Sequence, residues 1–149
     1  MAINAEDYDV FIKDFGAKDG TYKGVGCIQG QSDLLSRGER EIKESSCANI
    51  GVEDDKSLKK IKYPTATLIY KYSPTATDGR KTIIDAYEDG KKKLTVKVVL
   101  DDKAEGGTHG TYFERDVLVS KVDPKDEDGD WAEESTFALL GKRRETAAA

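Results

Sequence analysis

The stretch Asp123–Trp131, "DPKDEDGDW", decides the fold. Five acidic side chains crowd around its single glycine. Such a run reads either as a calcium loop or as the tip of a β-hairpin. An EF-hand loop places glycine at position 6 and carboxylates at positions 1 and 12. With Gly129 at position 6, position 1 is Pro124 and position 12 is Ser135, and neither is a carboxylate. The flanks carry strand patterns instead of helices. Upstream, "YFERDVLVSKV" (Tyr112–Val122) alternates, with Phe113, Arg115, Val117, Val119 and Lys121 on one face. Downstream, "WAEESTFALL" (Trp131–Leu140) reads as a second strand. Asp-Gly favours a tight turn, because glycine accepts positive φ and aspartate tolerates it. The run is therefore expected to be a hairpin tip without a metal.

Further strands extend the pattern. "YDVFIKD" (Tyr8–Asp14) and "LTVKVVL" (Leu94–Leu100) are apolar and β-branched. "TATLIYKY" (Thr65–Tyr72) lies between Pro64 and Pro74, with Leu68, Tyr70 and Tyr72 on one face. A short strand is expected near Val25–Ile28, within a glycine-rich segment, and another over Arg40–Ala48. "IGVEDDKSLKK" (Ile50–Lys60) is polar and reads as a loop. The period changes only in "TDGRKTIIDAYEDGKKK", where Ile83, Ile84 and Tyr87 form a helical stripe. Thr77 or Asp78 is placed to cap that helix, and Gly90 to end it. The expected fold is mainly β: an antiparallel sandwich or barrel with one flanking α-helix. Residues 1–141 read as a single domain, and 142–149 as a flexible C-terminal tail.

Composition narrows the function. Only 37% of the 149 residues are hydrophobic and 36% are charged, so the core is thin. That suits a subunit stabilised by its neighbours. The net charge of −5 disfavours a nucleic-acid reader, which needs a basic face against phosphate. Cys27 and Cys47 have no ligands at zinc spacing, and the opening "MAINAEDYDVF" does not read as a signal peptide. Both are expected to be free thiols in a reducing compartment. No apolar run approaches the roughly 20 residues of a membrane-spanning helix.

Candidate chemistry is sparse. His109, the sole histidine, sits in the loop "GGTHGTY" without partners nearby in sequence. Cys27 lacks an adjacent base. Glu53-Asp54-Asp55 and Asp101-Asp102 lie in polar runs that read as solvated faces. Leu34 and Leu35 interrupt a polar loop, either as an exposed anchor or as core packing. No catalytic, cofactor or metal residue is assigned.

The order of segments resembles the tail tube proteins of long-tailed bacteriophages. The resemblance is carried by "YDVFIKDFG" (Tyr8–Gly16), "VGCIQGQSDLLSRGEREIKESS" (Val25–Ser46), "YPTATLIYKYSPTATDGRKTIIDAYEDGKKKLTVKVVL" (Tyr63–Leu100) and "GTYFERDVLVSKVDPKDEDGDWAEESTFALLG" (Gly110–Gly141). It implies two packed antiparallel sheets with a flanking helix, and six copies in a ring. The rings would stack into a hollow conduit for DNA delivery in a virion tail, made in the bacterial host cytoplasm. The partners implied are further copies of the chain, tail tip and tail terminator proteins, and a tape measure protein in the lumen. Duplex DNA would pass without specific binding. No cofactor and no enzymatic activity are implied. Ser32, Asp33, Leu34, Leu35, Ser36 and Arg37 are the candidate subunit interface, with Glu53–Lys62 as a second contact segment. The tubes of contractile tails and of type VI secretion are similar in fold and remain alternatives. A monomeric ligand-binding β-barrel, lined by tyrosines, and an enzyme with a cleft at His109 or Cys27 are readings of other classes.

Overall fold

Alternating strands need a common buried face, and the computed structural model shows how they share one. It describes residues 8–45, 55–72, 78–103, 106–127 and 129–149. In chain order the elements are β1 (Tyr8–Asp14), a 3-10 turn (Asp19–Thr21), β2 (Lys23–Gly24), β3 (Ile28–Ser32), β4 (Ile42–Ser45), β5 (Asp55–Leu58), β6 (Thr65–Lys71), α1 (Asp78–Asp89), β7 (Leu94–Leu100), β8 (Tyr112–Glu127), β9 (Asp130–Leu139) and β10 (Arg144–Thr146). The main sheet is antiparallel in the order β2-β1-β7-β8-β9-β6-β3, and β10 pairs β8 as well. β4 and β5 form a separate two-stranded ribbon.

β8 joins the two halves. Its stretch Tyr112–Val117 pairs β7, while Val117–Glu127 pairs β9. The inward side chains of both halves meet in one cluster: Val10 and Ile12 of β1, Leu94, Val96 and Val98 of β7, Val117 and Val119 of β8, Leu68 and Tyr70 of β6, and Phe137 of β9. Ile83 and Ala86 of α1 close that cluster.

The acidic run is the hairpin it was read as. Glu127 faces Asp130 across the ladder, with Gly129 in the turn between them. Gly129 has φ +87°, and its N–H reaches Asp126 Oδ1 at 3.0 Å.

Several expectations are corrected. The β8 face does not continue to Lys121. Register shifts between Val119, opposite Phe137, and Lys121, opposite Thr136. This one-residue bulge at Ser120 reverses inside and outside, so Lys121 is exposed and Val122 packs against the core. In β6 the inward set is Ala66, Leu68 and Tyr70; Tyr72 lies past the strand end and is exposed. On α1 the buried stripe is Gly79, Ile83 and Ala86, and Tyr87 faces solvent. A Cβ on Gly79 would sit 2.4 Å from the Gly24 carbonyl oxygen, so the helix start lies directly on β2. Gly90 ends the helix as expected, with φ +76° and its N–H on the Ala86 carbonyl at 3.0 Å. Thr77 and the Asp78 side chain lie outside the described residues.

The strand read over Arg40–Ala48 is present as Ile42–Ser45; residues 46–48 lie outside the described set. The segment read as a polar loop over Ile50–Lys60 contains β5. Its pairing with β4 needs backbone hydrogen bonds and no apolar alternation. The glycine-rich segment holds two strands, and Val25 between them is buried. The closing residues, read as a patternless tail, carry β10, whose Arg144, Glu145 and Thr146 face Glu114, Phe113 and Tyr112.

Candidate assembly surfaces

Ser32–Arg37 forms a turn held from below. Asp33 takes the left-handed conformation at φ +59°, the one non-glycine residue to do so among the described residues. The Ser36 N–H closes the turn on the Asp33 carbonyl at 3.1 Å, and the Leu34 N–H reaches Gln31 Oε1 at 3.1 Å. Leu34 is 1% exposed and belongs to the core, with Leu35 half-buried beside it. The anchor reading of Leu34 is therefore overturned in favour of packing. Ser32, Asp33 and Arg37 are exposed.

Arg115 fastens that turn, and sequence reading treated it only as one position of an alternating strand. It is 1% exposed. Its Nη1 donates to the carbonyls of Leu34 (3.2 Å) and Ser36, and its Nε to that of Gly141 at 3.0 Å. The Tyr63 ring lies 4.8 Å from the guanidinium. Burial lowers its pKa, yet a guanidinium stays charged throughout the ordinary pH range. One side chain thus ties the 32–37 turn and the chain after β9 to β8.

A second polar fastening holds α1. Arg80 grips the carboxylate of Glu133 on β9. The Tyr70 hydroxyl donates to Glu133 Oε1 at 2.7 Å and lies 2.9 Å from Ser135 Oγ. Burial, with Glu133 adding to it, pushes the Tyr70 hydroxyl far above the ordinary phenol range.

The outer face of β1, β7 and β8 is covered by charge-paired segments. Lys13 Nζ reaches Asp19 at 2.9 Å, and the Tyr22 hydroxyl donates to Glu114. Arg144 of β10 forks onto Asp116 at 3.1 and 3.2 Å, and Thr95 Oγ1 donates to the same carboxylate at 2.9 Å. Burial opposes ionisation of Asp116, but Arg144 and Thr95 outweigh it and hold the pKa below the usual carboxylate range.

The residues weighed for chemistry take structural places. The backbone of His109 exchanges hydrogen bonds with Ala149 at 2.9 and 3.2 Å, and its ring stands edge-on to Tyr112 at 5.5 Å. Asp102 accepts the N–H and hydroxyl of Thr111, nine residues further along the chain. Cys27 is exposed, with Gln29 Nε2 3.6 Å from its sulfur. Cys47 and the pair Glu53-Asp54 lie outside the described residues. Among the described residues no three His, Cys, Asp or Glu gather as metal ligands.

What remains is surface suited to protein contact. Among the described residues the sheet ends on β3 at one side and on the two-residue β2 at the other; α1 rests on the β2 carbonyls, so β3 is the edge that presents backbone groups. The β4–β5 ribbon exposes Ile42 and Leu58, and the β8–β9 hairpin exposes Trp131.

Solved structures share this arrangement. A chain of the SPP1 tail tube, from a hybrid solid-state NMR and cryo-EM structure, superposes with a TM-score of 0.64 at 16% identity, over 98% of this chain and 80% of that one. The chain has the tail-tube fold. A chain of the anti-feeding prophage baseplate matches with a TM-score of 0.66 at 11% identity, over 99% and 97% of the two chains. A chain of the extended PVC sheath–tube complex, an extracellular contractile injection system, matches at 0.64 and 12%, over 99% and 93%. No family model matches the sequence, and no curated protein does. Within the tail-tube fold, the mainly antiparallel sheet and, among the described residues, one flanking α-helix are as the sequence predicted.

Proposed function

We propose that the chain is a structural subunit of a hollow tail-type tube, and that it has no enzymatic role. The observation that carries this is the open sheet: a tail-tube fold that ends on β3, with no further strand beside it among the described residues. A neighbouring copy would complete that edge, which in a lone domain invites uncontrolled pairing. Six copies to a ring, and rings stacked into a tube, follow the reading of phage tail tubes. The chain would then sit in the tail of a virion, after synthesis in the host cytoplasm. Tip and terminator proteins would close the ends, and a tape measure protein would occupy the lumen. A net charge of −5 suits a lumen through which duplex DNA passes without sticking.

The test is negative-stain microscopy with sedimentation of the purified protein. Hollow tubes or rings are expected. A protein that stays monomeric at high concentration overturns the tube and favours the ligand-binding barrel. The likeness to injection-system chains favours a second reading, a tube inside a contractile sheath. Copurification of a sheath protein from producing cells would select it.

A further inference from the structure

Arg115 does more than fasten a turn. Its Nη1 holds the Ser36 carbonyl and its Nε the Gly141 carbonyl, so it fixes the residues just before Arg37 and just before Lys142. Cations far apart in sequence are thereby set around one hollow of about 230 Å³. Among the described residues its lining is Arg37, Ile61, Tyr63, Lys142, Arg143 and Glu145.

Charge there is one-sided. Three lining side chains are cationic and one is acidic, in a chain of net charge −5. Among the described residues the Arg37 and Lys142 side chains have no ion-pair or hydrogen-bond partner. Arg143 lies 4.7 Å from the Phe113 ring, a contact that brings no countercharge. Arg115 adds a further positive charge against the wall, with its guanidinium 4.8 Å from the Tyr63 ring. Its partners are all carbonyls, and its Nη2 is buried with no hydrogen-bond partner among the described residues. The nearby Arg143 charge joins burial in lowering the Arg115 pKa. Gathering like charges, and leaving a buried donor unpaired, both cost free energy unless an anion offsets them.

The donors select the kind of anion. Two guanidinium forks and an ammonium suit an oxyanion with several acceptor oxygens. Three cations less one carboxylate leave two positive charges on the lining, which matches a phosphate group of about −1.5 to −2 at pH 7. Ile61 and Tyr63 complete the lining with apolar surface for the carbon side of an ester. The cations converge on one hollow, whereas a nucleic-acid strand presents a row, one charge per roughly 3.4 Å. We propose that this hollow binds a phosphate group, free or at the end of a phosphate monoester, gripped by Arg37, Lys142 and Arg143. The tube reading is neither needed for this site nor tested by it.

Calorimetric titration of the purified chain with inorganic phosphate tests it, at constant ionic strength set by sodium chloride. A saturable heat with one phosphate per chain is expected. Arg37→Gln and Lys142→Gln should each weaken binding about tenfold. Both positions are exposed, so circular dichroism should match wild type. Lys91→Gln removes the same charge at an exposed position just past α1 and should leave binding unchanged. Heat that is absent or never saturates, or an equal loss in all three variants, means an ion atmosphere only and overturns the proposal. Competition then identifies the source of the phosphate. Glycerol phosphate should displace inorganic phosphate, and an oligonucleotide without terminal phosphates should not. Displacement by that oligonucleotide at equal phosphate content would assign the hollow to a nucleic-acid backbone and overturn the reading.

Discussion

Arg80 on α1 and Glu133 on β9 meet fork to fork, Nε to Oε1 at 3.1 Å and Nη2 to Oε2 at 2.9 Å. Their side chains are 15% and 9% exposed, so water screens the pair poorly. Ile83 and Ala86 supply the apolar seat of the helix, and this pair fixes its orientation on the sheet.

Glu133→Gln should cost about 3 kcal/mol, since it strands a half-buried guanidinium and halves the charge-assisted bonding. Arg80→Met combined with Glu133→Leu should recover much of that loss, because neither charge is then left alone. Urea unfolding midpoints measure both. A double variant as unstable as the sum of its singles would deny the coupling.

Leu34→Ala should destabilise by about 3 kcal/mol, the usual scale for emptying a buried leucine site. Leu35→Ala, half-buried, should cost less than about 1.5 kcal/mol. Deleting Ser32–Arg37 therefore tests folding before assembly: it removes a core side chain and two carbonyls that satisfy Arg115. Equal effects of the two leucine changes would contradict the burial described.

Gly79→Ala improves helix propensity by about 1 kcal/mol in an open helix. Here it should lower the melting temperature. The new methyl meets the Gly24 carbonyl at 2.4 Å, and backbone cannot yield as a side-chain end does. A raised melting temperature would mean that α1 does not rest on β2.

Acid should release β10 before the sheet. Asp116 has a lowered pKa when folded, so its contribution is complete above the ordinary aspartate value of about 3.9. It is lost as pH falls through the lowered folded value. Hydrogen exchange of residues 144–146 should accelerate below about pH 4. Asp116→Asn should show fast exchange at neutral pH and no acid step. An acid step that persists in that variant would assign it elsewhere.

The strongest alternations were legible because each side chain in them has one choice of face. Val10 and Ile12, Leu94 to Val98, and Phe113 to Val119 lie as their pattern requires. The hairpin was legible from Asp-Gly chemistry. Lys121 was misplaced because a bulge leaves no mark in a period of two. β5 and β10 were missed because short strands on an edge are held by backbone bonds, which any residue supplies. Arg115 escaped notice as a fastening because its partners are carbonyls, and carbonyls have no letter in a sequence. The contact surfaces were hardest: Ser32–Arg37 was chosen for its two leucines, and the structure turns one of them inward. Trp131 and the Ile42–Leu58 pair stand out only once the strands that carry them are paired.

β8 runs for 16 residues from β10 to the hairpin, bonded to β7 along one stretch and β9 along the next. Ladder bonds lie across a strand, not along it. A pull between the two ends of β8 therefore loads many of them at once, in shear, instead of peeling them singly. The same strand that joins the two halves of the fold makes the subunit stiffest along that strand's own direction.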